Sequence, residues 1–125
     1  MMALELNRVK SKYTIYYRNK IGSEIIGGIE YFHYEEVDTT VGIIPTVKFI
    51  AKFIDDSVEK IHFTDIEQHG YRVSFTIRFL DDNWRMSKFI EIKINTDAKY
   101  GYSFLASALR EKFPNIVVCA KKLNN

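Results

Sequence analysis

The chain has 125 residues, 46% of them hydrophobic and 14% aromatic, with 18 basic against 16 acidic side chains. This balance argues against a disordered chain, and the length suits one globular domain, residues 1–125, burying roughly two thirds of its extended surface. A lone cysteine, Cys119, excludes a disulfide scaffold and points to a reducing, cytoplasmic setting, and no apolar run is long enough for a membrane span or secretory signal.

The net charge of +2 hides segregation: residues 1–20 sum to +4, 21–70 to −7, 71–109 to +2 and 110–125 to +3. Fields of opposite sign on one small domain steer partners of the complementary charge.

Tyr13, Ile15 and Tyr17 alternate with Thr14, Tyr16 and Arg18, which predicts a strand ending near Asn19-Lys20. A second strand is expected over about 24–36, bent at Gly27-Gly28, where two adjacent glycines remove both packing and strand propensity. Two periods compete over 45–57. Val47, Ile50, Ala51 and Ile54 form a helical face begun by Pro45, whereas Val47, Phe49, Ala51 and Phe53 would form a strand face; the helix is preferred.

A third strand is expected over about 58–65. Val58 is out of phase with Ile61 and Phe63, so the strand starts at Glu59 or later, and Glu67-Gln68-His69-Gly70 forms the turn with Gly70 left-handed. The clearest segment is 71–80, where Tyr71, Val73, Phe75, Ile77 and Phe79 alternate with Arg72, Ser74, Thr76, Arg78 and Leu80. Asp81-Asp82-Asn83 turns the chain, and Met86, Ile90, Ile92 and Ile94 resume the alternation.

Matching apolar faces sets Phe75 against Ile90, Ile77 against Lys88, Val73 against Ile92, Ile61 against Phe75 and Phe63 against Val73. Lys88 would then carry its ammonium out to water over buried methylenes. Phe104, Leu105, Ala108 and Leu109 predict a helix over about 98–112 with Asp97 as N-cap and Phe113-Pro114-Asn115 as its stop. Residues 116–120 read as a final strand whose Lys121 and Lys122 suit a sheet edge. The expected fold is α+β: a strongly twisted antiparallel sheet of five or six strands, one or two helices on one face, in the order ββαβββαβ.

The register expected above places three rows on the polar face: His62, Ser74 and Glu91; Lys60, Thr76 and Phe89; Thr64, Arg72 and Lys93. The first row is no catalytic triad, because serine lies between the other two and the carboxylate sits about two strand spacings, ~10 Å, from the imidazole. Lys60, Arg72, Arg78, Arg85 and Lys93 around Phe89 would make a nucleic-acid face that holds phosphates while a base stacks on the ring, although Glu91 opposes it. The three histidines and Cys119 lack metal-ligand spacing, the acidic pairs lack the pattern of a calcium loop, and no glycine motif cradles phosphate, so no metal or cofactor is expected.

Eight tyrosines exceed what a small core buries, and Trp84 beside a turn either folds back or protrudes. The resulting expectation is a non-catalytic protein-binding module, an inhibitor or antagonist of a nucleic-acid enzyme or toxin, acting through Tyr31, Tyr34, Glu35, Glu36, Asp38 and Trp84. A nucleic-acid-binding sheet and a small-ligand-binding domain are the alternatives, and edge-strand homodimerisation is compatible with each.

Overall fold

Residues 11–120 are described by the computed structural model, and for 18–21 and 33–39 only the backbone is described. The six strands are β1 (Tyr13–Ile26), β2 (Ile29–Val41), β3 (Lys60–His69), β4 (Arg72–Leu80), β5 (Met86–Thr96) and β6 (Val117–Ala120). Helix α1 (Ile43–Ala51) follows β2, and α2 (Gly101–Lys112) follows β5. The expected α+β class and the order ββαβββαβ are therefore present. The sheet runs β2-β1-β5-β4-β3-β6, antiparallel except for the β3–β6 edge pair.

Period-two alternation builds the centre of this sheet. Val73, Phe75, Ile77 and Phe79 of β4 are all buried, as are Ile92 and Ile94 of β5, Tyr13, Ile15 and Tyr17 of β1, and Ile61 and Phe63 of β3. The helices cover that face: Val47 and Ile50 of α1, and Leu105 and Leu109 of α2, join the same core cluster. Rings tie the layers together. Tyr17 of β1 packs on Phe49 (centroids 5.5 Å) and Phe53 (5.0 Å), and Phe53 reaches Phe79 of β4 at 6.0 Å.

Both expected registers are displaced by four residues. Phe75 lies opposite Ile94 and Ile77 opposite Ile92, while Ile61 meets Phe79 and Phe63 meets Ile77. A shift by an even number keeps every side chain on its face, so apolar matching cannot detect it. Irregularities absorb the extra residues: one between Arg78 and Leu80, one between Thr64 and Glu67, where Asp65 adopts φ 53°. The polar rows change with the register, and His62, Arg78 and Glu91 now share one, as do Thr64, Thr76 and Lys93.

The turns differ for related reasons. Gly27-Gly28 is not a bend inside a strand but the two-residue turn between β1 and β2, since Ile26 pairs with Ile29 and both glycines have positive φ, 57° and 80°. This is the backbone a tight hairpin of right-handed twist demands. The first strand therefore does not end at Asn19-Lys20; a bulge lies there, between Lys20 and Gly22. Glu67-Gln68-His69 continues β3, and the chain turns at Gly70-Tyr71, with Gly70 left-handed at φ 67° as expected and Tyr71 exposed outside the strand.

Helix α1 starts two residues before Pro45, which sits in the first turn where its missing N–H costs nothing, and Thr46 Oγ1 donates to the Gly42 carbonyl. Asp97 does not cap α2. Its carboxylate accepts the Lys12 backbone N–H at 3.0 Å, and Tyr100 occupies the N-cap position without a side-chain bond. The stop at Phe113-Pro114 holds. Lys121 and Lys122 lie outside the described residues.

Lys88 does not simply reach for water. Its ammonium bonds the Asp55 carboxylate in the loop after α1, and this bond, with donation from the Ser57 hydroxyl and N–H, lowers the Asp55 pKa from 3.8 to about 2. A depressed carboxylate stabilises the fold fully above its unfolded value and progressively less as pH falls from 3.8 towards 2. In Lys88→Ala the Asp55 midpoint, followed by carboxyl-carbon NMR titration, is expected to move up towards the ordinary range while Ser57 keeps it from returning completely. An unmoved midpoint would show that Lys88 is not its main partner.

Candidate protein-binding surface

The pairing of β1 with β5 runs from Tyr13↔Thr96 to Tyr17↔Ile92 and stops. Beyond it β1 continues from Arg18 to Ile26 paired, among the described residues, with β2 alone. At about 3.3 Å per residue this ribbon is roughly 30 Å long. It forms an arm that leaves the six-stranded sheet and ends in the Gly27-Gly28 turn.

The arm's outer half is apolar and exposed. Ile25 is 72% exposed and Ile29 59%, and Ile26, Tyr31 and Phe32 are exposed with them. Glu24 and Glu30 are the ionisable groups flanking the turn, so residues 22–32 carry two carboxylates and no cation. The tip is also thin, since a Cβ placed on Gly22, Gly27 or Gly28 would meet nothing within 4 Å. A run of β-branched apolar residues around a side-chain-free turn cannot form a core of its own, and an isolated two-stranded ribbon is marginal in water.

Of the residues expected to form a contact site, Tyr31 lies on this arm. Tyr34, Glu35, Glu36 and Asp38 follow it along β2, opposite Lys20, Asn19, Arg18 and Tyr16, with their side chains outside the described residues. The strand order separates β2 from Asp65 and Glu67 of β3 by three strands, so the acidic 21–70 segment is divided between distant parts of the sheet. Trp84 is remote from the arm in the sheet order, at the β4–β5 turn. It folds back, its ring lying edge-on to His62 at 5.7 Å and under the Lys60 ammonium at 4.7 Å.

Two of the five cations expected on the nucleic-acid face, Arg78 and Lys60, are paired. Arg78 Nε lies 3.0 Å from Glu91 and its Nη2 3.9 Å from Asp65, while Lys60 donates to the Asp82 carbonyl at 2.7 Å. Arg72 starts β4 at the opposite end of the sheet from Arg85 in the β4–β5 turn, and Lys93 stands between Tyr16 and Thr76. Phe89 is 93% exposed.

One constellation was not legible from sequence because it depends on the displaced register. Ser74 Oγ lies 3.4 Å from His69 Nε2, and Glu67 lies 3.5 Å from that same nitrogen. A hydrolytic relay needs serine and carboxylate on opposite ring nitrogens. Here both crowd Nε2 of an exposed imidazole, so the group is a polar hairpin end. Among the described residues no set of three histidine, cysteine or acidic side chains is placed to hold a metal, and no helix is long and apolar enough to cross a membrane. Compared with protein-family models, curated proteins and solved structures, the chain matches none.

Proposed function

We propose that the chain is a non-catalytic protein-binding module whose contact surface is the β1–β2 arm. The observation that carries this reading is the set of exposed apolar side chains, Ile25, Ile26, Ile29, Tyr31 and Phe32, at the end of a ribbon that has left the sheet. By register Ile26, Ile29 and Tyr31 share one face of the ribbon with Glu24, and Ile25 and Phe32 share the other with Ser23 and Glu30. Exposed apolar side chains on both faces mark an interaction element, and the rings give it the large rigid contacts that anchor interfaces. The acidic composition of β2, with Glu30, Glu35, Glu36 and Asp38, favours a partner with a basic face. A nucleic-acid enzyme or toxin has such a face, and the chain would act as its antagonist.

Capture from a lysate of the source organism tests the reading. The wild-type chain is expected to retain a stoichiometric protein that Ile26→Asp/Ile29→Asp loses, and charge reversal of Glu35, Glu36 and Asp38 is expected to slow its association. Unchanged capture by the arm variant would overturn the assignment. Salt-sensitive retention of single-stranded RNA or DNA, abolished by Arg72→Ala/Lys93→Ala, would overturn it in favour of the sheet face.

A further inference from the structure

A second apolar feature stands open on the helical layer. Ile43, Ile44 and Val47 of α1 and Ala108 of α2 line a groove of about 290 Å³, with Lys48, Glu111 and Lys112 also lining it. Ile44 is 60% exposed there although it lies on a helix whose neighbours Ile43 and Val47 join the core. The groove therefore offers an apolar floor and a rim with two cations to one anion.

The tip of the β1–β2 arm has the complementary character. It presents Ile25 on one face and Ile26 and Ile29 on the other, around a turn with no side chains, so it can enter the groove as a thin wedge, and Glu30 adds a carboxylate beside the turn. The Lys48 and Lys112 ammonium groups on the groove suit that charge. Arm and groove belong to one chain. The ribbon starts where β1 leaves β5 and continues beyond that pairing, so the tip stands open to a neighbouring molecule.

Resting on the reading of the arm as a protein-binding element, we propose that its partner is a second copy of this chain. The tip of each copy seats in the α1–α2 groove of the other. Exchange in both directions closes the assembly as a two-fold dimer and buries both apolar surfaces twice. The dimer would supply the cover that a two-stranded ribbon lacks by itself.

Sedimentation velocity on the full chain from 1 to 200 μM is the first measurement, and a dimer is expected to build up with concentration. Ile26→Asp on the arm and Ile44→Asp in the groove, both changes of exposed residues, are each expected to weaken self-association by about 100-fold or more, because a charge then enters an apolar contact. Far-UV circular dichroism shows that each variant is folded. For a direct contact, Ile29→Cys and Ala108→Cys are placed on separate chains in a Cys119→Ser background, mixed and oxidised. The expected product is the mixed covalent dimer.

A monomer throughout the concentration range would overturn the proposal while leaving the arm free to bind another protein, which the lysate capture decides separately. A dimer lost in Ile26→Asp but kept in Ile44→Asp would also overturn it, placing the arm against some other surface. Open-ended oligomers would overturn the reciprocal closure. Absence of the mixed disulfide, with the cysteine variants still dimeric, would overturn the pairing of tip and groove.

Discussion

Phe63→Ala is expected to lower the free energy of unfolding by about 3–5 kcal/mol, whereas Phe89→Ala should change it by no more than about 0.5 kcal/mol. The two residues are the same chemically and both lie on strands. Phe63 is 1% exposed, projects from β3 into the core and stacks on Phe75 with centroids 5.1 Å apart and planes 4° from parallel. Removing its ring loses the transfer free energy and opens a cavity between β3 and β4 that a close-packed sheet cannot collapse to fill. Phe89 already faces water and loses little. Since domains of this size are stable by only about 5–15 kcal/mol, the first change should move the urea midpoint by a large fraction of its value. Equal midpoints for the two variants would contradict the assignment of faces on which the core description rests.

Gly101→Ala is expected to destabilise the fold by about 1–3 kcal/mol even though alanine favours a helix over glycine. A Cβ at position 101 would lie 2.8 Å from Cγ2 and 2.9 Å from Cβ of Thr96, and nearer still to its Oγ1. Thr96 is buried at the end of β5, and its Cβ is itself one of the close atoms, so rotating the side chain does not relieve the contact. Relief would require the start of α2 to move off the sheet, and that strains the 2.7 Å bond in which the buried Tyr13 hydroxyl donates to the Gly101 carbonyl. The check is a double-mutant cycle on urea midpoints. Thr96→Ala removes Oγ1 and Cγ2, so Gly101→Ala should cost less in that background than in the wild type. Purely additive effects would place the cost elsewhere.

The sheet was largely legible because its information lies in alternation. Val73, Phe75, Ile77 and Phe79 identify a buried face without reference to any other strand, and Pro114 marks the end of α2 by backbone chemistry alone. Register was not legible. Displacing β4 against β5 by four residues leaves Phe75 facing an isoleucine either way, and what decides between Ile90 and Ile94 is the irregularity beside Leu80, which no hydrophobic period records. The Gly27-Gly28 turn was obscured for a different reason. Ile25, Ile26 and Ile29 continue the apolar character of a buried strand across it, although all three face solvent. Tyr31 could be singled out as a contact residue because tyrosine tolerates both environments. The isoleucines could not, since burial is their ordinary fate.

The strand order has a consequence for how the molecule comes to exist. Tyr13 pairs with Thr96 and Tyr17 with Ile92, so β1 finds its inner neighbour only in β5, after β2, β3 and β4 have been made. During synthesis the opening hairpin must wait, its isoleucines already outside the ribosome, until three later strands can close the gap. Chains dominated by such remote pairings fold slowly. For this one, the interval between emergence and closure is when aggregation threatens most and when a chaperone has most to protect.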